Sequence, residues 1–524
     1  MRQTYGPAYP ATLSALIAWS DRDPLAPAVT DAAGTLTRRA FQERVLLLAA
    51  GLRRAGVEPG ERVALWLPNG SDCLAVIFAC ARLGALAIHI NTRFRTAEVG
   101  SLLRRSRAVA LVTDWRFPPV DFPAIAAALP AEDRAALRCL LGVSPGASEL
   151  AGLPVHALDG AAGDAGPDHA RGQLPCLTFT TSGTTGGPKL VLHDQQTIAG
   201  HAVDVARRIG LDAAEAVLFG ALPFCGTFGN VAVMAAIAGG AHIVCLEQFD
   251  GDTAVKLIRQ HRISHVIGGD EMFGRIAAAA GGRRFGSVRF SGFAAFHSSA
   301  AVSIAAAQAL GMQPHGLYGS SEVQALFSVS DDENRLLGGG VPVNSQARLA
   351  VRDPQSGSSL PAGTSGELWI DAPSRFIEYL ENPAATEKAI DAGGMFRTGD
   401  LARLEGAGFV YEARMGDAMR LGGFLVSPEE IEAVIQAQAG VAGVQVVAAA
   451  RGGADPVPVA FVRTNTGARL DEAALRTRCF ELLARFKVPE RIVVVDAFPT
   501  VDSPNGPKVQ KIRLREMAEA LLRE

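Results

Sequence analysis

Along the first four hundred residues, short apolar runs of strand character alternate with segments of helical periodicity. "RVALWLP" precedes "GSDCLAVIFACARLG", and "AVLFGALP" precedes "NVAVMAAIAGGA". "HIVCLEQF", "DTAVKLIRQHRI" and "SHVIGG" follow in the same rhythm. Strands that read as continuous apolar runs are covered on both faces, and a helix between two strands returns the chain for parallel pairing. The pattern predicts an α/β fold: a large N-terminal domain of layered, largely parallel sheets with helices. A chain of 524 residues, 48% hydrophobic, has ample material for that core.

The rhythm changes near Arg414. "MGDAMRLGGFLVSPEEIEAVI" sets glycines before a helix start, with Ser427 as N-cap, Pro428 at the first helical position and Glu430 completing a capping box. Beyond it come helix ("PEEIEAVIQAQ"), strands ("VQVVAAA", "PVAFVRT"), helix ("DEAALRTRCFELLARF") and strand ("RIVVVD"). This predicts a small mobile α+β C-terminal domain. The boundaries are 1–415 and 416–524, with the hinge near Gly416, since glycine gives the connection conformational freedom. "SPGASELAGLPVHALDGAAGDAGPDHARGQLP" reads as a surface connection.

Other classes are excluded early. Net charge is −3 with both signs dispersed, so no nucleic-acid surface is expected. "NVAVMAAIAGGAHIVCL" is too short and too interrupted to span a bilayer, and reads as a buried helix followed by a strand. The opening segment has no sustained apolar core, so no signal peptide is expected. Seven scattered cysteines without a CxxC pair argue against zinc and disulfides, and for reduced thiols in a cytoplasmic protein.

"TFTTSGTTGGPKLVLHD", residues 178–194, carries the chemistry. Apolar strands flank a loop that presents hydroxyls, backbone N–H groups and one cation, the groups that surround a phosphate chain. It is not a Walker A motif, because Pro188 precedes Lys189 and Leu190 follows it. Taken alone, such a loop is more often an ordinary surface loop.

The loop does not stand alone. "TTSGTTGGPK" resembles the phosphate-binding loop of the adenylate-forming superfamily. "YGSSE" (318–322) resembles that family's adenine and magnesium motif, and "FRTGD" (396–400) its ribose motif. "ARMGDAMRLGGFLVSPEEIE" resembles the hinge motif and "NGPKVQKIRLRE" the C-terminal lysine motif, with "GVEPGERVALWLPNG" and "GELWI" in the flanking framework. On these ordered motifs the chain is identified as a member of the adenylate-forming (AMP-binding) superfamily, of the acyl-CoA synthetase or fatty-acid–aryl-acid CoA ligase type.

That resemblance implies a reaction and a site. A carboxylate attacks the α-phosphorus of ATP, pyrophosphate leaves, and a thiol then displaces AMP from the acyl-adenylate. Two anions must meet, so the site has to neutralise charge. Thr181, Ser182, Gly183, Thr184, Thr185 and Gly186 would donate to the β- and γ-phosphates, with Lys189 adding a positive charge or anchoring the loop. Tyr318 offers a ring against adenine, beside Gly319. Ser320 or Ser321 would hydrogen-bond the α-phosphate or the new carbonyl oxygen. Glu322 is a hard oxygen ligand for Mg²⁺. Asp400 suits the ribose hydroxyls, and Arg414 would reach the ribose or phosphate, or form an interdomain ion pair. Lys508 resembles the mobile catalytic lysine, with Lys511 its competitor, and the small domain rotates between the two half-reactions.

The acid is less legible. Phe224, Gly226, Phe228, Phe293 and Phe296 stand where the family lines its acyl pocket, with ordinary core packing as the alternative for the phenylalanines. A medium-chain, alicyclic or aromatic acid is expected, with coenzyme A as acceptor. The alternative is loading of a separate acyl carrier protein. A luciferase-like oxygenase and a non-catalytic nucleotide-binding protein are further alternatives. A homodimer is compatible with the resemblance.

Overall fold

The computed structural model describes the chain except Met1, Pro119, Ser144, 160–162, 182–188, 295–299, Asn334, 416–418, 422–423, Ser427, 451–455, 466–469, Ala484, 504–505 and Glu524. Two large sheets dominate. The core of the first holds Pro175–Thr180, Leu86–His89, Arg62–Trp66, Ala110–Asp114, Cys139–Val143 and Leu153–Ala157 as parallel neighbours. The second has a parallel half, from Pro314–Ser320 through Phe290–Ala294, His265–Gly269, Val217–Gly220 and His242–Cys245 to Pro27–Asp31.

Side-chain alternation explains the continuous apolar runs. In Arg62–Trp66, Val63 and Leu65 join one hydrophobic cluster while Ala64 and Trp66 join another. Both faces are covered, so each position must be apolar. The helices Arg38–Arg54, Ser71–Leu83, Gln195–Ile209 and Thr227–Gly239 supply the cluster shared by the two sheets. The outer face of the second sheet carries Gly251–Gln260, Asp270–Ala279 and Ala300–Ala309. The apolar stretch before His242 is, as expected, a buried helix and then the strand His242–Cys245. Among the described residues, no helix is long and apolar enough to cross a membrane. All seven cysteines are free thiols, and only Cys225 is not fully buried.

Two features go beyond the sequence pattern. Residues 324–414 add antiparallel strands to the second sheet: Gln324–Val329, Gly339–Pro342, Gly408–Arg414, Phe396–Glu405, Gly366–Asp371 and Arg348–Arg352. Antiparallel neighbours need no crossover connection. The stretch expected to be only a surface connection also contributes two strands, Glu149–Leu150 and Leu153–Ala157, at the edge of the first sheet. Its Gly and Pro content hid short edge pairing.

The smaller C-terminal domain centres on Val441–Ala449, Val457–Thr464 and Arg491–Val494. Helices Pro428–Gln436 and Glu472–Leu482 cover one face, and Lys511–Arg523 the other. These follow the helix and strand order expected from the sequence.

Candidate active site

The hydroxyl-rich loop begins and ends in one antiparallel hairpin. Pro175–Thr180 pairs with Leu190–Asp194, Thr180 opposite Leu190. At its mouth the Thr181 N–H donates to the Lys189 carbonyl at 3.0 Å. Thr181 and Lys189 are half-buried. Ser182, Gly183, Thr184, Thr185 and Gly186 lie outside the described residues.

The "YGSSE" segment ends the strand Pro314–Ser320 and turns back into Gln324–Val329. Gly319 is required by contact: a Cβ there would stand 2.5 Å from the Ala325 Cα and from the Gln324 carbonyl oxygen. The return strand carries two non-glycine residues in the left-handed region, Gln324 at φ 67° and Leu326 at φ 54°. Such conformations persist where surroundings over-determine them. Here the buried Gln324 amide donates to the Thr197 carbonyl at 2.9 Å and the Ser374 carbonyl at 3.3 Å.

Three further bonds hold the turn. Ser320 Oγ accepts from the Glu322 N–H at 3.2 Å. The Glu322 carbonyl accepts from Phe376 N–H at 2.7 Å. The Ser321 carbonyl lies 2.7 Å from His193 Nε2. A carbonyl only accepts, so Nε2 carries the proton. Burial holds His193 down at about 4, which keeps this ring neutral.

Tyr379 joins the two motifs. Its hydroxyl donates to Glu322 Oε1 at 2.8 Å, and Lys189 Nζ sits 4.6 Å from its ring centroid. Sequence reasoning missed Tyr379, His193 and Gln324. One weak signal existed: the chain has five tyrosines, and 318, 379 and 411 gather here.

Asp400 lies near enough to Glu322 for the two carboxylates to influence each other. It is 3% exposed, and its Oδ2 accepts from the Tyr318 hydroxyl at 2.5 Å. Arg414 Nη1 stands 3.0 Å from Oδ1, yet donates its hydrogen bond to the Thr398 carbonyl, also at 3.0 Å. Oδ1 is thus buried near a cation but without a hydrogen bond of its own. Burial pushes the Asp400 carboxyl up to about 6, against the opposing pull of Arg414 and the Tyr318 hydrogen bond. The Tyr318 ring is 8% exposed and packs edge-on against Phe409, centroids 4.9 Å apart, with Tyr411 at 5.9 Å.

The segment expected to line the acyl pocket is brought only partly to this place. Thr227 Oγ1 accepts from Ala325 N–H at 3.2 Å, so Gly226 and the half-buried Phe228 lie beside the "YGSSE" turn. A Cβ on Gly226 would meet nothing closer than 3.6 Å. Phe224 and Phe293 are instead core side chains. Phe224 packs in the cluster between the sheets and Phe293 in the outer cluster, on opposite sides of the second sheet. Phe296 and Gly416 lie outside the described residues. Lys508 stands in the strand Gly506–Val509, paired with Val501.

The layered fold and the converging carboxylates, hydroxyls and cations define a nucleotide-handling enzyme class, and comparison with known proteins identifies it. The family model described as AMP-binding enzyme matches residues 16–380, and that of the AMP-binding enzyme C-terminal domain matches 430–504. The chain belongs to the AMP-binding enzyme family. It is 30% identical over 500 residues to a feruloyl-CoA synthase from Amycolatopsis sp, covering 92% of this chain and 94% of that one. It is 29% identical over 488 residues to the 2-succinylbenzoate–CoA ligase of Geobacillus kaustophilus, covering 90% and 91%. Among solved structures, ATP-bound MatB from Rhodopseudomonas palustris superposes with TM-score 0.83 at 24% identity, over 98% of this chain and 99% of that one. The o-succinylbenzoate CoA synthetase of Bacillus subtilis with its acyl-adenylate gives 0.79 at 21%, over 95% and 97%. These two establish the shared fold.

Proposed function

We propose that this protein is an AMP-forming acid–thiol ligase: it converts a carboxylic acid to an acyl-adenylate with ATP and transfers the acyl group to coenzyme A. One observation carries the reading. Lys189, at the end of the hydroxyl-rich loop, and Glu322, at the end of "YGSSE", meet at one tyrosine, the first over its ring face and the second at its hydroxyl. Segments far apart in sequence are thereby gathered around a place suited to a triphosphate.

The roles follow from chemistry. Thr181, Lys189 and the intervening loop residues bind the β- and γ-phosphates. Tyr318 and Gly319 border the adenine, Asp400 accepts from the ribose hydroxyls, and Arg414 adds positive charge beside them. Ser320 and Ser321 supply hydroxyls near the reacting carbonyl. Glu322 fits Mg²⁺: it is a hard oxygen donor with one oxygen taken by Tyr379 and the other left over. Such a cation is commonly held by one or two carboxylates plus substrate phosphates, and when bound it neutralises phosphate charge. Lys508, brought in by the small domain, stabilises the charge that builds during attack. Rotation about a hinge near Gly416, dividing 1–415 from 416–524, then admits the thiol.

The names of the relatives favour an aromatic acid, and Gly226 has no neighbour closer than 3.6 Å to where a Cβ would stand. A panel of such acids, with medium-chain acids alongside, tests the reading. Acid-dependent pyrophosphate release with MgATP, followed by CoA thioester and AMP, is the expected result. No release with any acid would overturn it. Release with transfer only to a carrier protein would replace CoA as acceptor.

A further inference from the structure

We propose that Tyr379 is a two-sided positioning residue, whose hydroxyl fixes the Glu322 carboxylate for metal binding while its ring face holds Lys189 at the mouth of the phosphate loop. This rests on the function proposed above and adds a residue to it.

The surrounding backbone is built to hold this ring. Glu378–Tyr379 forms a two-residue strand against Leu190–Asp194, with Tyr379 opposite Val191. On one side Ile377 N–H donates to the Leu192 carbonyl and Leu380 N–H to the Leu190 carbonyl, each at 2.8 Å. On the other, Phe376 N–H donates to the Glu322 carbonyl at 2.7 Å. The same five residues thus grip both the strand leaving the phosphate loop and the main chain of Glu322. Tyr379 N–H donates to Thr386 Oγ1 at 2.9 Å, in the helix Pro383–Ala389, which Asn382 caps through Ala385 N–H.

Side-chain packing completes the frame. The Tyr379 ring is 4% exposed and lies against Phe376, centroids 4.9 Å apart, and Phe376 lies against Phe396 at 5.5 Å. A ring held this way has little rotamer freedom to lose when its tip makes a bond. The hydroxyl donates to Glu322 Oε1 at 2.8 Å, and a carboxylate can only accept. With Oε1 taken, the carboxylate can present Oε2 in one orientation. The ring face meanwhile offers a cation–π platform to Lys189, so the ammonium stays near the loop without pairing with Glu322. A direct Lys189–Glu322 ion pair would neutralise the carboxylate that the metal needs. Tyr379 separates the two charges while keeping them close.

Outer-shell partners of this kind typically change metal affinity by about 10–100-fold. Tyr379→Phe keeps the ring and removes the donor. Calorimetric titration should show MgATP binding weakened by about tenfold, with binding of metal-free ATP in EDTA unchanged. The Mg²⁺ concentration for half-maximal pyrophosphate release should rise in parallel, with KM for the acid unchanged. In a Glu322→Gln background, Tyr379→Phe should add no further loss. Tyr379→Leu removes the platform as well, and should weaken metal-free ATP too. If the wild-type protein binds MgATP and releases pyrophosphate but Tyr379→Phe leaves MgATP affinity unchanged, or weakens both forms of ATP equally, this inference fails alone. If the wild type does neither, the proposed function fails and the inference with it.

Discussion

Asp400 stands directly across a hairpin from Arg414 because the ladder slips by one residue. Glu405 pairs with Gly408, Leu404 with Phe409, Arg403 with Val410 and Ala402 with Tyr411. Then the register shifts, and Leu401 faces Ala413 and Asp400 faces Arg414. In an unbroken ladder Asp400 would oppose Ala413, and Arg414 would point to the other face. One bulge thus places a guanidinium 3.0 Å from a buried carboxylate.

The raised Asp400 pKa has opposite consequences for stability and for binding. The folded carboxyl titrates near 6, above the ordinary value of about 3.9. The folded chain therefore binds this proton more tightly than the unfolded chain. Stability falls as pH rises from about 4 to 6, and the full cost persists above that window. The melting temperature of Asp400→Asn relative to wild type should accordingly climb between those pH values. For the proposed contact with the ribose, binding should have the other sign, because hydroxyls need an acceptor. Wild-type KM for ATP should rise as pH falls through about 6. The ATP phosphates titrate nearby, and the Asn variant isolates the Asp400 part: its KM should be about tenfold higher near neutrality, without that acidic limb. Identical pH profiles would contradict the assignment.

His89 should make the fold acid-labile. It ends the strand Leu86–His89, buried beside Phe179 with ring centroids 5.9 Å apart. Burial holds its pKa down at about 4, below the usual value near 6.5. The unfolded chain takes the proton first, so this contribution is whole above pH 6.5 and drains away as pH falls towards 4. His89→Leu should gain roughly 2 kcal/mol relative to wild type between pH 7 and pH 5, read by denaturant unfolding at each pH. Parallel curves would show that the imidazole takes up its proton equally in the folded and unfolded states.

Gly319→Ala should distort the turn that carries Glu322. Its Cβ would press on backbone of residues 324 and 325, which cannot move aside as a side chain can. A stability loss of about 1–3 kcal/mol is expected from such overpacking. Pyrophosphate release should drop by more than that loss explains, since the whole turn shifts. A variant with wild-type kcat and KM would mean the backbone relaxes without cost.

Lys508→Ala should separate the half-reactions. Acyl-adenylate formation should slow about a hundredfold or more, on the scale of losing one preorganised charge. Thioester formation from supplied acyl-adenylate should survive. Equal damage to both steps would remove Lys508 from the adenylation chemistry and direct attention to Lys511.

What the sequence determined by itself was local. Strands covered on both faces need an apolar residue at every position, so their alternation with helices is legible in the order of residues alone. The hydroxyl-rich loop likewise stands out in the order of residues alone, as a contiguous run of small residues and donors. Tertiary structure alone decided which distant groups meet. Tyr379 lies 57 residues from Glu322 along the chain, and nothing in "RFIEYLEN" marks it as a partner. The bulge beside Asp400 follows from pairing between strands, and the outward placement of Phe293 follows from sheet packing. The antiparallel half of the second sheet likewise follows from which strands pair. Periodicity reports the surroundings of one segment. Register and facing partners are set by hydrogen bonds and packing between segments, which no single stretch encodes.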